Sequence, residues 1–279
     1  MYVARTIEDL RAQRAGASSP LGLVPTMGSP HEGHLSLVSR ARADCATVVA
    51  SLFVNPAQFG PHEDLASYPR DEPRDLELFE QAGVDLVFAP TVEEIYPRGF
   101  AATVSLGGLT TVLEGARRPG HFDGVATVVT KLFNIVHPDS AYFGEKDAQQ
   151  LLVIRALVRD LDLPVEIVGC PIVRAPDGLA LSSRNAYLSD EQRAQALSLS
   201  RGLTAAGAAF DGGVRDAETL RAIVRGEIEA QPLAEIDYVS LAGAATLSEL
   251  EGDIDGEALL SLAVRFGGTR LIDNRVLAS

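Results

Sequence analysis

Short apolar runs that do not alternate with polar residues recur through the first part of this chain. Each is separated from the next by a segment of helical spacing. Gly22–Thr26, Thr47–Pro56, Asp85–Pro90, Ser140–Gly144 and Val165–Cys170 are the runs. His34–Ala43, Pro73–Gly83, Ala126–Val136 and Asp147–Leu161 are the intervening helices, and a further short strand and polar helix open the chain. A strand that is apolar on both faces must be covered on both faces. Strands of that kind interleaved with helices indicate a parallel sheet between two helical layers.

The pattern changes after Cys170. Pro171–Asn185 contains a Pro-Asp-Gly turn and reads as a hairpin-like connection. Two helices are expected at about 189–210 and 216–230. Three strand candidates follow, in Ile236–Ala242, Ala258–Phe266 and Thr269–Asn274. Helices followed by clustered strands form a small α+β unit. The expected fold is therefore α/β, with a Rossmann-like parallel-sheet domain over 1–173 and a smaller α+β domain over 174–279.

Charge and cysteine content narrow the partners. The 279 residues carry 24 Lys+Arg against 38 Asp+Glu, a formal net charge of −14, and both parts share the acid excess. Phosphate-backbone binding needs a net basic face, so nucleic acid is not the expected partner. No apolar run approaches the length of a membrane span. Cys45 and Cys170 are too few and too far apart for a disulfide framework or a zinc knuckle, and read as buried reduced thiols of a cytoplasmic protein. Among the basic residues only Lys131 and Lys146 are lysines.

The segment Met27-Gly28-Ser29-Pro30-His31-Glu32-Gly33-His34 lies where a strand hands over to a helix. Ligands of open parallel sheets bind at that carboxyl edge. Residues three apart share a helical face, so His31 and His34 point the same way beside the unpaired N–H groups of a helix start. Spacing alone fits a phosphate site, and equally two of five histidines falling in one turn; a metal site lacks a third ligand nearby. Gly144-Glu145-Lys146-Asp147 marks a second handover, with Lys146 a compact charge suited to phosphate oxygens. Leu181-Ser182-Ser183-Arg184 offers two hydroxyls and a guanidinium. Asn55 and Gln58 follow another buried-type strand. Glu114–Phe122 reads as a Gly/Pro-rich loop whose arginines could clamp a carboxylate. Each of these, alone, also suits an ordinary surface turn.

Together, PTMGSPHEGH, SLFVNPAQFG with EDLASYPR, LEGARRPGHFDGVATVV with KLFNIV, FGEKDAQQL, DGLALSSRNAYLS and RLIDN make the chain resemble the pantothenate synthetase (pantoate–β-alanine ligase) family over nearly its whole length. The histidine segment is also similar to the HIGH signature of nucleotidylyl transferases and class I aminoacyl-tRNA synthetases. Pro30 stands where the family more often has Leu.

The resemblance implies ATP-dependent joining of D-pantoate to β-alanine through a pantoyl adenylate, releasing AMP and pyrophosphate. It implies that Met27 through His34 line the ATP site, with His34 as the catalytic histidine and His31 on phosphate. Gly144, Glu145, Lys146 and Asp147 would hold nucleotide. Val173 would touch adenine through its backbone. Leu181, Ser182, Ser183 and Arg184 would close over the triphosphate, with 174–279 as a lid. Gln58 and Gln150 would bind pantoate, Gln58 also lying near β-alanine, and Asn55, Tyr68 and Arg118 would sit at the substrate end. Mg²⁺ is implied with ATP, without a named protein ligand, and so is a homodimer. Two other readings remain at this stage. One is another adenylate-forming enzyme on the same scaffold; the other is a nucleotide-binding sensor without catalysis.

Overall fold

The computed structural model describes residues 1–61 and 63–278. The described chain divides into two compact units. One comprises Met1–Glu145 with Gln149–Pro171, the other Lys146–Ala148 with Ile172–Ser279.

The first unit is built on six strands: β1 (Tyr2–Ala4), β2 (Leu21–Thr26), β3 (Thr47–Leu52), β4 (Leu86–Phe88), β5 (Ser140–Gly144) and β6 (Glu166–Cys170). Every pairing is parallel, in the order β1-β4-β3-β2-β5-β6. Both faces are buried, as the non-alternating runs require. Leu23, Val49 and Phe88 face one apolar core, and Val24, Val48, Ala50 and Val87 face the other. The helices of this unit are α1 (Ile7–Arg14), α2 (Glu32–Asp44), α3 (Glu72–Gln81), the short α4 (Val92–Ile95) and α5 (Leu113–Arg117), α6 (His121–Val136) and α7 (Ala148–Asp160), whose first residue falls in the other unit. Leu37, Val38 and Ala41 of α2 seal the second core, while α6 and α7 seal the first. Each fully buried Leu or Val contributes roughly 1.5–3 kcal/mol through apolar surface removed from water.

The strand order reverses between β2 and β5. Strands β3 and β4 extend to one side and β6 to the other. The β2–β5 ladder covers only Gly22↔Ser140 and Leu23↔Ala141, near the start of both strands, and the longer β2–β3 ladder runs to Thr26. The carboxyl ends of β2 and β5 thus flank the switch point, the place in an open α/β sheet where a crevice forms for ligands.

One expectation changes. Glu114–Phe122 is largely helical, not a loop. Leu113–Arg117 forms α5, and α6 begins at His121, five residues before the apolar run that announced it. Gly120, at φ +82°, supplies the left-handed residue that turns one helix into the other.

The second unit is a three-stranded antiparallel meander, β7 (Ala234–Gly243), β8 (Ala258–Phe266) and β9 (Thr269–Leu277), with helices α8 (Asp190–Asp211) and α9 (Ala217–Glu229). Leu199, Leu203 and Phe210 of α8, Leu220, Val224 and Ile228 of α9, and Leu241, Leu260, Leu262 and Val264 of the sheet share one core. Ser189 and Gln192 form a reciprocal cap at the start of α8. The expected hairpin is present as an Arg174↔Ala180 bridge, followed by a 3₁₀ turn at Ser183–Tyr187.

Candidate active site

Strand β2 ends at Thr26, whose hydroxyl donates to the Ser51 carbonyl at 2.8 Å. The chain then turns through Gly28 (φ +92°) and Ser29 (φ +50°). A Cβ at Gly28 would lie 2.9 Å from both Asp75 Oδ2 and Leu52 Cδ1, so glycine is required there for space as well as for backbone angle. The same carboxylate oxygen accepts the Ser29 N–H at 2.9 Å. Burial, the larger influence, raises the Asp75 carboxyl above its ordinary range, against the lowering effect of that bond.

Helix α2 starts with histidines as its capping pair. His31 is the N-cap, and its Nδ1 accepts the Gly33 N–H at 3.1 Å; His34 Nδ1 lies 3.4 Å from the His31 N–H. The rings are 4.2 Å apart between centroids. A ring nitrogen that accepts a backbone N–H carries no proton of its own, so each neutral imidazole is protonated at Nε2. The cap therefore fixes the tautomer of both rings and leaves Nε2–H as the donor end of each.

Asn55 and Gln58 lie beyond β3. Asn55 is buried and fully used: its Nδ2 donates to Gln58 Oε1 and to the Gly124 carbonyl, both at 3.1 Å, and its Oδ1 accepts from Tyr96 Oη at 2.7 Å and from the Ala57 N–H at 3.3 Å. Burial pushes the Tyr96 phenol up to about 12, keeping it a neutral donor. Gln58 Nε2 lies 2.9 Å from Met27 Sδ, which ties this turn to the histidine segment. The turn sits directly on α6. A Cβ at Gly124 would come within 2.2 Å of the Ala57 carbonyl oxygen.

Arg118 does not reach outward as a bare clamp. Its Nε and Nη2 grip Glu63 at 2.9 and 2.6 Å, and Nη1 lies 3.0 Å from His121 Nε2. His121 Nδ1 lies 2.8 Å from the Gln58 carbonyl. A carbonyl only accepts, so Nδ1 bears the proton and Nε2 accepts from Arg118. Burial and the Arg118 cation lower the His121 pKa to about 4, so the ring is neutral near pH 7.

The remaining residues of the first unit separate. Gln149 is buried, bonding the Glu114 N–H and the Leu109 and Val112 carbonyls. It staples the segment before α5, while its neighbour Gln150 is half-buried. Tyr68 is buried edge-on against Phe59, with centroids 5.8 Å apart. Gly144 ends β5 and Glu145 opens the 3₁₀ turn Glu145–Asp147.

In the second unit, Lys146 has a side chain 18% exposed and places Nζ 3.5 Å from Asp147 Oδ2. Val173 accepts the Leu181 N–H at 2.9 Å across the hairpin. Ser182 Oγ accepts the Arg184 N–H at 3.3 Å, opening the turn that carries Ser183 and Arg184. Among the described residues no group of three His, Cys, Asp or Glu side chains could hold a metal ion, and no helix is long and apolar enough to cross a membrane.

A model of the pantoate-β-alanine ligase family matches residues 2–276. The chain belongs to this family. It is 58% identical over 277 residues to the pantothenate synthetase of Herpetosiphon aurantiacus, covering 99% of this chain and all of that protein. The Chloroflexus aggregans enzyme is 59% identical with the same coverage. The crystal structure of pantothenate synthetase from Thermus thermophilus superposes with a TM-score of 0.96 at 50% identity, each chain fully covered. The Francisella tularensis pantoate-β-alanine ligase, solved with β,γ-ATP and β-alanine, superposes at 0.80 with 32% identity, over 99% of this chain and 97% of that one.

Family motifs brought His31, His34, Gln58 and Lys146 forward. They did not bring forward Asp75, Glu63, Tyr96, His121 or Gln149, which hold the turns in place. Glu63, His121 and Gln149 nonetheless stand inside the EDLASYPR, GHFDGV and FGEKDAQQL motifs, and the aromatic, titratable ring of His121 was the signal available among them.

Proposed function

We propose that the chain ligates D-pantoate to β-alanine in two steps. The pantoate carboxylate attacks the α-phosphorus of ATP, a phosphorus–oxygen bond breaks, and pyrophosphate leaves. The β-alanine amine then attacks the acyl carbon of pantoyl adenylate and expels AMP. The observation that carries this reading is the histidine cap at the carboxyl end of β2, beside the switch point. It seats two imidazoles, each with Nδ1 on a backbone N–H, at the start of a thirteen-residue helix, an arrangement suited to phosphate oxygens.

In this reading Met27, Gly28, Ser29, Pro30, Glu32 and Gly33 supply close backbone approach, and His31 and His34 stabilise charge on the phosphates. No protein nucleophile is needed, because the adenylate is itself the activated acyl group; the catalysis is positioning plus electrostatics. Gln58 and Gln150 hydrogen-bond pantoate. Asn55 acts by orienting the Gln58 amide. Arg118, paired with Glu63, completes the substrate end with Tyr68. Lys146 binds phosphate, Asp147 ribose, Val173 adenine, and Leu181 through Arg184 the triphosphate. Gly144 and Glu145 complete the nucleotide segment. Residues 1–173 and 174–279 are the working domains of the proposal. ATP enters as its Mg²⁺ complex. The cation would be carried by phosphates and water, with no named protein ligand. The proposal extends to a homodimer in the cytoplasm, where the buried thiols of Cys45 and Cys170 stay reduced.

AMP formation from ATP, D-pantoate and β-alanine, with each omitted in turn, tests it. All three should be required for pantothenate, while pantoate and ATP alone should support exchange of labelled pyrophosphate into ATP. Equal AMP release with other acids in place of pantoate would redirect the reading to another adenylate-forming reaction.

A further inference from the structure

The proposed mechanism has no use for the RLIDN motif, yet this segment meets the phosphate-binding lysine. Asn274 lies on β9, buried, opposite Ser261 of β8. Its Nδ2 donates to the backbone carbonyl of Lys146 at 2.9 Å, across 128 positions of sequence and within the second unit. Asp273 beside it is 2% exposed and accepts the Asn274 N–H at 2.8 Å. Its two oxygens also take Arg174 Nη1 and Nη2, at 2.6 and 2.9 Å. Arg174 Nη1 further donates to the Gly178 carbonyl at 3.2 Å and so braces the hairpin that ends at Leu181.

We propose that Asn274 is a positioning residue for Lys146, and that the Asp273–Asn274 pair sets the placement of two phosphate-binding segments at once. A lysine on a 3₁₀ turn has four side-chain torsions and no helix to fix its base. A hydrogen bond to its own carbonyl fixes the point from which the side chain reaches. An error of about 1 Å at a reacting centre costs on the order of 10²-fold in rate. Asp273 holds Asn274 and Arg174 through one buried carboxylate, so the lysine turn and the Val173–Arg184 hairpin share one anchor. The proposal rests on the reading of Lys146 as a phosphate ligand.

The lysine count makes the test direct. Lys131 and Lys146 are the only lysines, so protein labelled with carbonyl-¹³C lysine gives two carbonyl resonances, and Lys146→Arg removes and thereby assigns one. Asn274→Ala should move the Lys146 resonance and leave that of Lys131, on α6, in place. Pantoate-dependent pyrophosphate exchange should fall about tenfold in Asn274→Ala. In a Lys146→Ala background the same change should cost less than twofold more, because two groups acting through one path are not additive. Asn274→Asp, the same size but without the donor, should reproduce the loss and covers the case in which Asn274→Ala does not fold. An unmoved Lys146 resonance, or losses that multiply in the double variant, overturns the tether. Undiminished exchange in Lys146→Ala while the resonance still moves in Asn274→Ala overturns the reading of the lysine itself, and the proposal with it.

Discussion

The crossing from β2 into α2 holds itself together, whereas the crossing after β5 is held from far along the chain. In the first, His31 caps Gly33, His34 faces the His31 N–H, and all three residues fall within four positions. In the second, a three-residue 3₁₀ turn has its Lys146 carbonyl fixed by Asn274 of β9. The same groups that build the first crossing are the ones proposed to act on phosphate. In the second, building and acting are divided between Asn274 and Lys146. Substitutions should therefore couple structure to activity at the first crossing and separate them at the second.

The largest effect expected is on adenylate formation. His34→Ala and Lys146→Ala should each lower pantoate-dependent pyrophosphate exchange by about 10²–10³-fold, the usual cost of removing one preorganised charge-stabilising donor. Both should keep a native far-ultraviolet circular dichroism spectrum. Wild-type exchange in either variant would remove that crossing from the chemistry and end the comparison.

How much of this was legible beforehand follows from the same contrast. The parallel sheet was readable because burial on both faces writes a non-alternating run, as in Leu21–Thr26 and Thr47–Leu52. The histidine crossing was readable because its partners lie three residues apart. The start of α6 was not, because His121, Phe122, Asp123 and Gly124 carry no apolar period; their place is set by the Asn55–Gln58 turn lying on Gly124. Gln149 and Gln150 differ by one position, and only the helix direction decides that the first staples Leu109 and Val112. Asn274 and Lys146 are related by no local pattern at all.

Next in size is the anchor of the second crossing. Asp273→Ala should cost about 2–3 kcal/mol of unfolding free energy, from urea titration. The estimate sits below the usual 3–5 kcal/mol for breaking a buried pair because Arg174 keeps some solvent access. Amide hydrogen exchange should rise at 145–148 and stay unchanged at 31–35. Equal acceleration at both segments would show that the two crossings are not independently held.

The first unit also carries a pH signature, at His121. His121 has a folded-state pKa of about 4 against an ordinary 6.5, so the unfolded chain takes up a proton first as pH falls. Stability from this group is complete above 6.5 and is lost between 6.5 and about 4, on the order of 3 kcal/mol in all. Thermal midpoints of the wild type should therefore drop more steeply over that window than those of His121→Gln. Parallel curves would mean that Arg118 and Glu63 hold Gln58 without help from a neutral imidazole.

The smallest effect separates capping from chemistry at the first crossing. His31→Ala removes the N-cap acceptor for Gly33 and should cost about 1 kcal/mol in urea unfolding. Lys146→Ala removes a half-buried side chain whose charged partner Asp147 is 3.5 Å away, and should stay within about 0.5 kcal/mol of wild type. His31→Asn restores a capping oxygen but no imidazole. It should recover most of the lost stability and little of the pyrophosphate exchange. If exchange returns with stability, His31 serves the helix and not the phosphate, and the first crossing divides its labour just as the second does.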